Sequence, residues 1–282
     1  MTIPILTYHA LNISGNDYAT NDHVAFASDL ELVTRAGWQI QPLHRIVDCL
    51  FDAGGTLPEK TIAFTFDDAT DFDFADLPHP TAGPQRSMLN ILHDFAAAHP
   101  GAQPGLHATS FVIASPEARA AMDRACIIDR GWMNDHWWPE AVASGLMGIA
   151  NHSWDHNHEC MARVAQRNQE KGNFFCIDTD ADADAQIREA ARFIAARAPN
   201  PSVALFGYPY GHVNAFLSKD YLPRQAAGPA PFVKAAFGTE AGFMSADSDR
   251  WNLPRFVCGW HWKSSEELAA LLRDPATSSG IS

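Results

Sequence analysis

Two short segments hold the side chains best suited to chemistry in this 282-residue chain: Thr65-Phe66-Asp67-Asp68 and, about eighty-five positions further on, His152-Ser153-Trp154-Asp155-His156. Each follows an apolar run, Thr61-Ile62-Ala63-Phe64 before the first and Leu146-Met147-Gly148-Ile149-Ala150 before the second. One carboxylate and two imidazoles make a three-ligand site with an open position, the arrangement that activates water on zinc. The other carboxylate is then free to act as a base. Successive side chains on an extended segment point to opposite sides, so Asp67 and Asp68 should differ in role although they are neighbours. Two histidines at i and i+4 meet on one face if their segment makes a helical turn. Either segment alone has a plainer reading, as a helix N-cap or as a solvated His-rich loop. Together they point to a metal site.

The pair of motifs resembles the polysaccharide deacetylases, the NodB-type homology domain of carbohydrate esterase family four, and the resemblance runs from about Ile3 to Leu272. It implies that Asp67 is the catalytic base and that Asp68, His152 and His156 ligate one divalent metal ion, usually zinc. The family's Arg-x-Pro-Tyr-Gly motif reads here Gly207-Tyr208-Pro209-Tyr210-Gly211, with Gly207 where the Arg would stand. That version is similar to the subfamily acting on poly-N-acetylglucosamine. The resemblance implies that the Tyr210 backbone N–H helps bind the oxyanion. The missing Arg normally orients the base. Arg255, in Leu253-Pro254-Arg255, either takes that role beside the substrate or is a surface arginine before the last strand. The opening Pro4-Ile5-Leu6-Thr7-Tyr8-His9 is similar to the start of the same subfamily and makes His9 the general acid, with His261 of Gly259-Trp260-His261-Trp262 as its rival. Ala69 stands where the family usually has Gly; an alanine there implies an ordinary backbone, because Gly is the residue that takes positive φ freely. The implied reaction is removal of an acetyl group from an N-acetylated sugar in a poly- or oligosaccharide. The alternatives are an O-acetyl esterase, another amidohydrolase on the same site, or a non-catalytic glycan-binding protein.

The elements that must position these residues alternate between strand and helix patterns. Strands are predicted over 3–8, 38–41, 61–66, 107–113, 148–151, 203–206, 232–237 and 256–259, with helices over 43–51, 85–98, 183–197 and 264–273. A further helix carries Phe26, Leu30 and Val33 and stops before Gly37, and Pro116 opens another. The alternation implies an α/β fold, and we expect a distorted (β/α) TIM-like barrel of about seven strands, one domain over 1–282 with long loops. His9, Asp67, Asp68, His152 and Tyr210 all fall just past predicted strand ends, the face on which such barrels gather their catalytic residues. Long loops are predicted over 69–84, 131–139 and 218–231. Trp132, Trp137 and Trp138 in the second would line a sugar groove or form a lid on the core. The acidic run Asp178 to Glu189 lacks the glycine that a calcium-binding loop needs and reads as a helix start.

Composition narrows the partners. A net charge of −13 argues against nucleic acid and anionic membrane surfaces and leaves a neutral acetylated glycan as the simplest substrate. Hydrophobic residues at 46% are ample for a core, and no apolar run reaches the ~18 residues of a membrane span. Residues 1–4 show no basic stretch or apolar leader, which fits a cytoplasmic protein. Five scattered cysteines without a Cys-x-x-Cys favour reduced thiols over a disulfide frame. Cys160, close to the histidine motif, reads as a small buried residue rather than a neighbour of the metal.

Overall fold

The apolar runs become strands because both their faces are covered. All six residues of Thr61–Phe66 and all five of Met147–Asn151 are buried, as near-continuous apolar strands of a parallel sheet should be. A computed structural model describes residues 1–52, 54–127 and 129–273. Its strands are β1 (Ile5–Tyr8), β2 (Gln39–Ile40), β3 (Thr61–Phe66), β4 (Leu77–His79), β5 (Gly83–Gln85), β6 (Ala108–Val112), β7 (Met147–Asn151), β8 (Leu205–Gly207), β9 (Ala235–Phe237) and β10 (Phe256–Val257). Seven of them lie in the order β10-β1-β3-β6-β7-β8-β9, every pair parallel, and β2 adds to the start of β3. A parallel bridge from Phe237 to Leu253 ties β9 to the segment that leads into β10. The sheet therefore curls toward closure as a distorted (β/α) barrel of one domain. β4 and β5 form a separate antiparallel hairpin.

The helices are α1 (Asp22–Arg35), α2 (Leu43–Phe51), α3 (Met88–Ala98), α4 (Pro116–Cys126), α5 (Trp138–Ala143), α6 (Asp180–Ala183), α7 (Glu189–Arg197), α8 (Leu222–Ala226) and α9 (Ser265–Arg273). Side-chain alternation sorts the strands into two layers. Leu6, Tyr8, Phe64 and Phe66 pack outward with Phe26, Leu30 and Val33 of α1 and Leu92 of α3. Ile5 and Ala63 face the other way, into a second cluster with Phe111, Leu253 and Ile46 of α2. Thr7 and Thr65 share this inner face and bond each other at 2.9 Å. Asp67 continues the inward set two residues beyond Thr65.

Local sequence sets the helix ends. Asn21 accepts the His23 N–H at the start of α1, and Ser115 accepts the Ala118 N–H at the start of α4, where Pro116 loses no bond. Helix α3 starts at Met88 rather than at 85, because Ser87 caps it and Gly83–Gln85 is drawn into the hairpin. The acidic run opens α6 with Thr179 as its cap, and a π-helical stretch, Asp184–Arg188, joins it to α7. The predicted loop over 218–231 is helical over 218–226, through the π-helical Phe216–Tyr221 and α8. Pro223 follows directly on the π-helical stretch, at the second residue of α8.

The tryptophan loop is a lid on the core. Trp137 and Trp138 are fully buried, with Trp137 stacked on Phe74 at 5.8 Å and Trp138 beneath the Arg119 guanidinium. Trp132 meets the edge of Phe72. The groove reading does not hold for the two buried rings. No described helix is long and apolar enough to cross a membrane.

Candidate active site

The predicted site residues converge where β1, β3, β7 and β8 end. Asp67 lies one residue past β3, its N–H bonded to the Tyr8 carbonyl. Its two carboxylate oxygens receive Nη1 and Nη2 of Arg255, each at 2.8 Å. Arg255 is fully buried, which overturns the surface-arginine alternative. Its Nε donates to the Gly238 carbonyl at 2.9 Å, its Nη1 reaches Thr65 Oγ1 at 3.3 Å, and its guanidinium lies over the Phe111 ring at 5.2 Å. This planar, bidentate fit is one that arginine makes and lysine does not. Burial alone would raise the Asp67 pKa, but the charges of Arg255 and His152 outweigh it and hold the group below the usual carboxylate range.

Asp68 turns away from Asp67 through a backbone of positive φ (+68°), and Ala69 follows at +42°. The expectation of an ordinary backbone at Ala69 is therefore wrong. The alanine accepts the left-handed region, at a cost of order 1 kcal/mol, because the turn is anchored on both sides. Asp67 is locked to Arg255, and Thr70 sits in a capping box with Asp73. Asp68 Oδ1 lies 3.4 Å from His152 Nε2 and 3.4 Å from His156 Nε2.

The two histidines reach Asp68 without a regular helical turn. Ser153, His156 and Asn157 all have positive φ, and side chains hold the loop in place of a backbone ladder. Asn151 accepts the Ser153 N–H, Ser153 Oγ accepts the His156 N–H, and Gln186 Nε2 donates to Asp155 at 2.6 Å. Asn157 donates to the carbonyls of Glu170 and Asn173. Asn151, Ser153, Asp155, Asn157 and Gln186 were not singled out by sequence reasoning. The motif spelling His-Ser-x-x-His already contains Ser153 and gives no signal for Gln186.

Gly207 explains its own departure from the motif. His152 Nδ1 donates to the Gly207 carbonyl at 2.8 Å, which places the ring proton there and leaves Nε2 a free lone pair. A Cβ at Gly207 would stand 3.1 Å from Phe111 Cδ1 and 3.2 Å from His152 Nδ1. Even a Cβ there would need Phe111 or His152 to give by a few tenths of an ångström, and the guanidinium over Phe111 comes instead from Arg255.

These residues fit a divalent metal on three counts. Asp68 Oδ1 is buried and has no hydrogen-bond partner among the described residues. One carboxylate and two imidazoles form a donor set suited to zinc. The 3.4 Å spacings match the edge of a tetrahedron with bonds of about 2.0–2.1 Å, which is about 3.4 Å. Burial lowers the His156 pKa to about 3; burial would raise that of Asp68, but the adjacent His152 and His156 outweigh it and hold the carboxylate well below its usual range. A neutral imidazole beside an ionised carboxylate is the protonation state that ligation needs; His156 has it, whereas the Asp68 and Asp67 carboxylates raise the His152 pKa against its burial.

Tyr210 adopts φ +59° in the turn Pro209–Gly211 and sets its ring 4.4 Å from that of His156. Among the described residues its N–H makes no hydrogen bond outside that turn. His9 is half-buried at the end of β1. Its N–H is held by Asp22 at 2.7 Å, and its Nδ1 has no partner among the described residues. His261 instead accepts the Val257 N–H at Nδ1 and stacks on exposed Trp260.

The polysaccharide deacetylase family model matches residues 54–222. No curated protein matches the chain by sequence. Among solved structures, IcaB from Ammonifex degensii superposes with a TM-score of 0.63 at 18% identity, covering 97% of this chain and 97% of its own. The Streptococcus pyogenes deacetylase PplD in complex with acetate gives 0.59 at 17% identity, over 96% of this chain and 98% of that one. A de-N-acetylase from Aggregatibacter actinomycetemcomitans gives 0.62 at 14% identity, over 96% and 100%. At these identities the likeness is one of fold.

Proposed function

Because the chain belongs to the polysaccharide deacetylase family, we propose that it hydrolyses the acetamide of an N-acetylated sugar unit, with Asp67 as base and His9 as acid. The observation that carries this reading is the ionised, Arg255-clamped Asp67 next to the Asp68, His152 and His156 donor set. Asp68, His152 and His156 would hold one divalent ion, zinc by donor type. Bound there, the ion would supply Lewis acidity, bringing the pKa of a water within reach of a carboxylate as weakly basic as Asp67.

The remaining steps belong to the side chains. Arg255 fixes the Asp67 oxygens so that the carboxylate accepts a proton without rotating. The Tyr210 N–H points its dipole at the developing oxyanion, the kind of preorganised donor that contributes most to such reactions. His9 delivers a proton to the amine nitrogen as the C–N bond breaks, and acetate and a free amino sugar leave. Two motif departures that would favour a non-catalytic protein have local compensation, Arg255 for Gly207 and a positive-φ Ala69 for the usual glycine. The five unpaired thiols support a reducing compartment.

The test is acetate release from N-acetylated and O-acetylated versions of the same sugar oligomer. Release from the amide supports the proposal. Release from the ester alone makes the chain an esterase on the same site, and release from neither makes it a binding protein.

A further inference from the structure

We propose that Cys126, His158 and Cys160 form a second metal site, one that takes a thiophilic divalent ion of the zinc class. It goes beyond the deacetylase reading and does not depend on it. One donor atom from each residue lies within 4.8 Å of the other two, and Cys126 Sγ stands 3.9 Å from His158 Nε2. In a tetrahedral site with Zn–S of about 2.3 Å and Zn–N of about 2.0–2.1 Å, donors stand about 3.5–3.8 Å apart. The observed group needs to close by no more than about 1.3 Å.

The group is built on packed elements. Cys126 ends α4, and Cys160 lies on the loop that continues from the histidine motif. A small core of Ile113, Ala118, Met122, Met133, Met161 and Val164, with Cys160 packed against it, joins that loop to the helix. Cys160 is only half-buried, so the expectation of a fully buried residue is corrected. The donors differ in kind from those of the first site. Two thiolates and one imidazole select soft ions, whereas a carboxylate with two imidazoles is less selective.

Loading balances simply. Two thiol protons leave to solvent, and the His158 ring proton moves from Nε2 to Nδ1, giving up the 3.2 Å bond that Nδ1 accepts from the Cys160 N–H. The fourth position is left to water or an outside ligand. The His158 ring lies 5.9 Å from that of His156, so an ion here would pin the loop that carries His156 to α4.

The test is a cobalt(II) titration of the chelator-stripped, reduced, full-length protein without oxygen, read by thiolate-to-cobalt charge-transfer absorption. Wild type should bind two equivalents, one of them giving that absorption. Cys126→Ser with Cys160→Ser should lose the absorption and half of the bound cobalt. His152→Ala should lose the other half and keep the absorption. A wild-type protein with both thiols free to react but no charge-transfer band overturns the proposal, and so does a band that persists in the double variant. The Asp68, His152 and His156 equivalent gives no thiolate band, so failure of one site is read apart from failure of the other.

Discussion

At the scale of single residues, the site turns on how Asp67 is held. If Arg255 keeps its pKa low, Arg255→Lys should raise it by replacing a bidentate fork with a single point charge. The acidic limb of the kcat/KM profile should move to higher pH, with at least a ~10-fold loss of rate on the plateau. An unmoved limb would remove Arg255 from the role of positioning the base. Asp67→Asn should keep its metal and lose ~100-fold or more in kcat, and near-normal turnover would take Asp67 out of the mechanism. His9→Ala should abolish the alkaline limb. If His261→Ala does so instead, the acid comes from the segment after β10, the strand beside β1.

At the scale of elements, β8 is shaped around His152 rather than around its own side chains. Gly207→Ala would press a methyl against Phe111 and His152 Nδ1. We expect about 1–3 kcal/mol of destabilisation and metal affinity weakened by about 10–100-fold, because the carbonyl that orients the ligand is displaced. Calorimetric metal titration reads this directly, and wild-type affinity in the variant would show that the strand has room to give. The strands and their motif-bearing ends were legible in the sequence because apolar runs stop where Asp67, His152 and Tyr210 begin. The Asp67–Arg255 pairing was legible only through resemblance, since no local pattern joins residues 188 positions apart. The Ala69 backbone was misread because a local preference lost to two anchors on either side of it. The 218–231 segment was read as a loop, yet 218–226 is helical with Pro223 inside it.

At the scale of the whole molecule, the barrel places buried acids close to its site, and folding becomes pH-dependent through them. Burial is the main cause that raises the Asp73 pKa to about 7, with Asp68 and Asp71 adding to it and the Thr70 N–H and Ser110 hydroxyl opposing it. An unfolded Asp titrates near about 3.9, so between about pH 4 and 7 the folded state binds the extra proton and stability falls as pH rises. Asp73→Asn removes that dependence. Relative to wild type it should gain on the order of 2 kcal/mol between about pH 5 and 7 in urea unfolding, and parallel stability curves would sink the assignment. The family match covers 54–222, so His9 and Arg255 come from outside it, the one just past β1 and the other just before its neighbour β10. This has a consequence for biosynthesis. While the protein is being made, Asp67 leaves the ribosome long before its counter-charge, and the lumen holding it has no partner strand at β10. Chains stalled before Phe256 should remain open to protease along β1, whose outer edge β10 covers, and the barrel should close only as that strand is delivered.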